Sequence, residues 1–161
     1  MIDKVIFLDI DGVLNVYCQS MDEFGCTFHK HFEDNLKWII EETKAKIVIS
    51  SSWRLSGLIA MREMWEHRGL AGEIIDITPN LTYGEGLLTS TSRGEEIKAW
   101  LDLNPVRRYC IIDDDTDMLT EQTPFFVQTS GNENHKDCVD VGYGLTKECS
   151  EQVINILNIN S

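Results

Sequence analysis

The sequence has few prolines, three in 161 residues, and little positive charge: 14 Lys and Arg stand against 27 Asp and Glu, a formal charge of −13. That imbalance excludes a broad, nonspecific grip on a polyanion, although a local basic cluster would still hold one phosphate. Long apolar runs are missing. None approaches the ~20 residues of a membrane-spanning helix, and Asp9 and Asp11 interrupt the apolar N-terminus, so no signal peptide is read there. The five cysteines, Cys18, Cys26, Cys110, Cys138 and Cys149, include no CxxC pair. With His29 and His31 near Cys26, and His135 near Cys138, they fit no closed zinc-ligand spacing. They read as ordinary thiols and loop histidines in a reducing cytoplasm. What is present, 42% apolar and 25% charged residues, suits one soluble domain over residues 1–161, large enough to bury roughly two thirds of its unfolded surface.

Val5–Leu8 is apolar throughout and does not alternate, the pattern of a strand covered on both faces. Residues 15–30 show no period and read as a loop or small flap. Phe32, Leu36, Ile39, Ile40 and Thr43 recur at helical spacing and predict a helix over about 31–44. A second buried strand, Lys46–Ile49, runs into Ser50, Ser51 and Ser52. Leu58, Met61, Met64 and Trp65 predict a helix over about 56–68, stopped by Gly69. Glu73–Ile77 is a short strand, and residues 78–91, rich in Pro, Gly, Thr and Asn, are a loop. Ser92 and Glu95 form a capping box ahead of a helix carrying Ile97, Trp100 and Leu101. Tyr109–Ile112 is a third apolar run, Phe125–Gln128 a weaker strand, and Thr146 caps a last helix with Cys149, Val153, Ile156 and Leu157 on its face. Strands alternating with helices imply an α/β fold, a three-layer Rossmann-like parallel sheet with helices on both faces. Its ligand site lies at the carboxyl ends of the strands.

Three apolar runs end in polar clusters: Asp9 and Asp11, Ser50–Ser52, and Asp113–Asp117. A parallel sheet brings all three to one edge, with up to six carboxylates. Like charges ~4 Å apart repel by about 4 kcal/mol at an effective dielectric near 20. A divalent cation relieves this, and oxygen-only donors favour Mg²⁺ over zinc. Mg²⁺ commonly shares its shell with a substrate phosphate, which points to phosphate chemistry. Asp9 is placed as a carboxylate nucleophile, and Asp11 as the group that protonates the leaving oxygen and later activates water. Gly12 lets the backbone turn sharply beside the phosphate. Arg54, close behind the serines, suits bidentate phosphate binding, while Trp53 reads as a packed aromatic.

"FLDIDGVLN" resembles the first motif of haloacid dehalogenase-like (HAD) phosphohydrolases, and "IVISSSWR", "SRGEEIKAWL" and "YCIIDDDTDM" follow in the order of their second, third and fourth. The SSSWR, RGEEI and DDDTD set, with Gly144–Thr146, is similar to the compact HAD domain of bacterial and phage RNA-repair proteins. The resemblance runs from about residue 3 to 157. It implies that Asp9 is nucleophile and metal ligand, and that Asp11 is the general acid/base whose carbonyl also touches the metal. It further implies that Ser50 holds the transferring phosphoryl group, or Ser51 if the register slips by one. Arg93 fits the third-motif cation better than Lys98, and Asp114 with Asp113 completes the metal site.

About forty positions separate Asp9 from Ser50, and about as many separate Ser50 from Arg93. Neither interval holds a full cap domain. An open site suits a Mg²⁺-dependent phosphatase acting on a terminal phosphate of a large molecule, such as a nucleic-acid end, with no membrane partner. A nucleotide-sized substrate is the alternative. So is a non-catalytic, phospho-accepting receiver or binding module; a receiver would carry its phosphoacceptor on the third strand, where only Asp76 stands.

Overall fold

The computed structural model describes residues 1–81, 91–131 and 142–159, with the backbone alone of two short strands at 83–84 and 87–88. In chain order it runs β1 (Ile2–Leu8), β2 (Met21–Asp22), β3 (Gly25–Cys26), α1 (Lys30–Thr43) and β4 (Lys46–Ile49). A 3-10 turn (Ser52–Ser56), α2 (Leu58–His67), β5 (Ile74–Ile77), β6 (Tyr83–Gly84) and β7 (Leu87–Leu88) follow. The chain then forms α3 (Arg93–Leu103), β8 (Val106–Asp113), a second 3-10 turn (Thr120–Phe125), β9 (Phe126–Gln128) and α4 (Lys147–Asn158).

Five strands form one parallel sheet in the order β5-β4-β1-β8-β9. Side chains alternate across a strand, so parity assigns each residue of the apolar runs to a face. Ile6, Leu8, Ile47, Ile49, Cys110 and Ile112 meet α1, α2 and α4 through Phe32, Leu36, Ile39, Met64, Val153 and Leu157. Val5, Phe7, Val48 and Ile111 meet α3 through Ile97 and Trp100. Both faces are therefore covered, which is why these strands are uniformly apolar. Each fully buried side chain of this size contributes about 1.5–3 kcal/mol. Phe7 also lies edge-on to Trp100, with centroids 5.3 Å apart, a geometry worth about 0.5–1.5 kcal/mol more.

The helix ends follow their local signals. Ser92 and Glu95 form the reciprocal capping box, Thr146 accepts from the Cys149 amide, and Gly69 takes φ +63° just past α2, a conformation that suits glycine.

The loop or small flap expected over 15–30 carries a short antiparallel hairpin of β2 and β3. Two expectations need correction. Cys18 and Cys26 are not ordinary thiols, because a disulfide joins them across that hairpin, Cα atoms 5.3 Å apart. Among the described residues, Cys110 and Cys149 are free; Cys138 and His135 lie outside the described residues. The loop expected over 78–91 contains the β6–β7 pair, and its remaining residues from 82 to 90 lie outside the description. No helix among the described residues is long and apolar enough to cross a membrane.

Candidate active site

The strand ends are level. Leu8 pairs with both Ile49 and Ile112, so the next residue of each strand, Asp9, Ser50 and Asp113, reaches the same sheet edge. The backbone ladder extends through them: the Asp9 amide donates to Ile112 O at 3.0 Å and the Ser50 amide to Leu8 O at 2.9 Å. The edge lies where the chain, having moved outward from β1 to β4 and β5, returns to lay β8 on the other side of β1. Such reversals open a crevice at the carboxyl ends of the strands.

Carboxylate oxygens of Asp9, Asp113 and Asp114 lie within 4.8 Å of one another there. Asp9 and Asp113 are buried. Loss of solvent pushes both carboxyls far above the ordinary carboxylate range; the Asp114 charge raises both, that of Asp9 raises Asp113 further, and Arg93 opposes the shift. The Ile10 amide and the Ser51 side chain favour ionised Asp9. Asp113 accepts from the Asp115 amide at 2.9 Å. Arg93, at the first turn of α3, sets its Nε 3.8 Å from Asp113 Oδ2, and one guanidinium cannot neutralise three carboxylates. The donors are all oxygen and short of positive charge, which fits a hard divalent cation held by Asp9, Asp113 and Asp114.

Two cavities meet on Asp9. One, of about 360 Å³, is lined by Arg54, Asn80, Arg93, Glu96, Asp113 and Asp114 among others. The other, of about 440 Å³, is lined by Asp11, Gly12, Asn15, Tyr17 and Gly131. Both share Asp9, Ser52, Arg93 and Asp114. Gly12 has φ +82°, and a Cβ there would overlap the Asp114 carboxylate. A Cβ on Gly131 would overlap the same carboxylate.

The six carboxylates expected at this edge do not all converge. Asp11 stands aside, exposed, its Oδ2 accepting from Trp53 Nε1 at 2.9 Å. Asp117 accepts from the Arg93 amide at 2.7 Å and so caps α3. Of the two serines, Ser51 reaches Asp9, while the buried Ser50 hydroxyl has no hydrogen-bond partner among the described residues. Ser51 also begins the 3-10 turn by accepting from the Trp53 amide. Lys98 is distant from this network, paired on the surface with Asp102.

Arg54 is buried, donating to Ser51 O at 2.8 Å and to Glu96 Oε2 at 2.7 Å. Burial lowers its pKa, and Glu96 opposes this. Glu96 Oε2 also lies 3.3 Å from Arg93 Nη1, and its Oε1 accepts from the Leu81 amide at 3.2 Å. Glu96 thus holds both site arginines, and the sequence reading passed over it. The signal was its place one turn before Trp100 on the buried face of α3. Asp76, the sole acid on the third sheet strand, accepts from Trp100 Nε1 at 2.7 Å. It is a packing partner of α3.

The family described as the HAD domain in Swiss Army Knife RNA repair proteins matches residues 5–134. The chain belongs to this HAD family. The match spans the first three sheet strands, α3 and the acidic end of β8, so the crevice above belongs to a HAD hydrolase domain. The domain is also similar to a solved structure, a HAD superfamily (subfamily III A) hydrolase from Legionella pneumophila. That pair is 16% identical, with 98% of this chain and 84% of the other covered and a TM-score of 0.42. A search of curated proteins finds no match.

Proposed function

We propose that this HAD domain is a Mg²⁺-dependent phosphomonoesterase that accepts the phosphoryl group on Asp9, and that its substrate is the terminal phosphate of a large molecule such as a nucleic-acid end. The observation that carries the reading is Asp9 itself, clustered with Asp113 and Asp114 under Arg93 where two open cavities join. Mg²⁺ bound by Asp9, Asp113 and Asp114 would supply positive charge against the phosphate and the developing transition state.

In this scheme an Asp9 oxygen attacks phosphorus as the bond to the leaving oxygen breaks, and a proton from Asp11 goes to that oxygen. Water then attacks the aspartyl phosphate, gives its proton to Asp11, and restores Asp9. Arg93 and Ser51 orient the phosphoryl group, and Arg54 stiffens the wall from which Arg93 projects. The family's occurrence in RNA repair proteins supports a nucleic-acid substrate. The charge of −13 confines contact to the end of such a strand, because an acidic surface repels the rest of the backbone.

The test compares kcat/KM for 3′- and 5′-phosphorylated oligonucleotides, a nucleoside monophosphate, a phosphopeptide and p-nitrophenyl phosphate. An oligonucleotide should lead, turnover should require Mg²⁺, and Asp9→Asn should abolish it. A free nucleotide as best substrate by a wide margin overturns the large-substrate reading, and an active Asp9→Asn overturns the nucleophile.

A further inference from the structure

The Asp11 carboxylate is exposed on a turn just past β1. A general acid so placed would swing among rotamers in water, and proton delivery depends on one orientation. Two side chains restrict it. Trp53 Nε1 donates to Oδ2 at 2.9 Å, and Asn15 Nδ2 makes a longer contact of 3.4 Å with Oδ1. Trp53 lines neither of the two cavities, whereas Asp11 and Asn15 line the second. The indole therefore acts through Asp11.

Trp53 is itself held from behind. Its ring lies 5.6 Å from that of Phe28, with the Arg68 guanidinium 4.5 Å from the Phe28 centroid and 5.7 Å from that of Trp53. Arg68 is locked by Asp22 of the hairpin, at 2.7 and 2.8 Å. Gly25 of the same hairpin presents its bare Cα face to the indole edge. An indole N–H only donates, so the oxygen facing it cannot direct a proton there. The 3.4 Å contact of Asn15 leaves Oδ1 the more loosely held of the two oxygens.

We propose that Trp53 is a positioning residue: it fixes the Asp11 carboxyl so that Oδ1 faces the leaving oxygen, and the β2–β3 hairpin keeps it in place. This rests on the reading of Asp11 as general acid/base. In the first step the Oδ1 proton passes to the leaving oxygen as its bond to phosphorus breaks. In the second, Oδ1 takes a proton from the attacking water. In the first step only leaving groups that need a proton feel the loss of this alignment, whereas the second step, common to all substrates, slows alike.

The test is Trp53→Phe, which keeps an aromatic ring and removes the donor. On an alkyl or nucleotide-terminal phosphate, kcat should fall about 10- to 100-fold with KM little changed, within the ~10²- to 10⁴-fold that general acid/base catalysis supplies. In the first turnover of 2,4-dinitrophenyl phosphate, whose leaving group departs without a proton, the burst of product release should be slowed much less. Equal slowing of the first turnover on both substrates overturns the proposal, as does no slowing on either. If Trp53→Phe does not fold, the assigned indole N–H resonance of Trp53 carries the test: it should move on Asp11→Asn while that of Trp100, bonded to Asp76, does not. An unmoved Trp53 resonance overturns the proposal. Activity in Asp9→Asn would instead overturn the phosphatase scheme itself, so the two failures are distinguishable.

Discussion

Replacing Glu96 by Gln should cost more stability than any other single change at the site edge. Glu96 and Arg54 are 3% and 6% exposed, and their 2.7 Å contact compensates a guanidinium whose Nε has no hydrogen-bond partner among the described residues. The amide introduced by Glu96→Gln would still offer an acceptor to the Leu81 N–H or to Arg54, but not the charge. Breaking a buried ion pair by removing one partner costs about 3–5 kcal/mol, and the retained acceptor puts the expected loss near ~3 kcal/mol. For a domain of this size, 1 kcal/mol moves Tm by about 2–4 °C, so the melt should fall by about 6–12 °C. Calorimetry with and without Mg²⁺ measures this. The double replacement Arg54→Met with Glu96→Leu should recover most of the loss, because a buried pair exchanged for apolar groups of similar volume is often neutral. A Glu96→Gln melt within about 2 °C of the parent, or a double variant worse than the single, refutes the claim that Glu96 compensates Arg54.

Gly12→Ala should destabilise the fold by about 1–2 kcal/mol through its left-handed backbone and weaken Mg²⁺ binding by displacing Asp114; urea unfolding and metal titration check both, and no change in either contradicts the packing seen around Asp114. Arg68 holds the Asp22 carboxyl down to about 2, chiefly by hydrogen bonding. The folded value lies below the unfolded ~3.9, so the stabilisation is complete above that pH and is lost as pH falls toward 2. Urea midpoints over this window should fall more steeply for the parent than for Asp22→Asn, and equal slopes would deny the pair its role.

The sheet and most of its site were legible because burial leaves a mark in the sequence. Val5–Leu8, Ile47–Ile49 and Tyr109–Ile112 are apolar on both parities only because helices cover both faces, and each ends abruptly where the crevice begins. Asp9, Asp113 and Asp114 follow from those ends, while Arg93 came only from the resemblance of its motif. The lateral contacts did not. Glu96 looks like a surface charge in "RGEEI" unless it is placed on the same face as Trp100, and Arg54 looks solvated until Glu96 is buried against it. Ser50 and Ser51 differ by one residue, and which one meets Asp9 depends on the turn that Ser51 itself begins. The Cys18–Cys26 bond arises from hairpin pairing over residues with no alternating pattern, so spacing alone gave no reason to join them.

The acidic trio also bears on how the chain folds. Asp9 is more than a hundred residues from Asp113 and Asp114, and β8, which brings them, must dock against β1 in the middle of the sheet. Contacts of such separation carry a large loop-closure entropy and slow folding. Here the same docking step also drives three carboxylates together, so their repulsion opposes the pairing of β8 with β1. A divalent cation that binds only the docked arrangement stabilises that end point by mass action. Metal should therefore slow unfolding more than it speeds folding, and the half-built chain, with Asp9 alone at its edge, carries the proposed nucleophile but no means to use it.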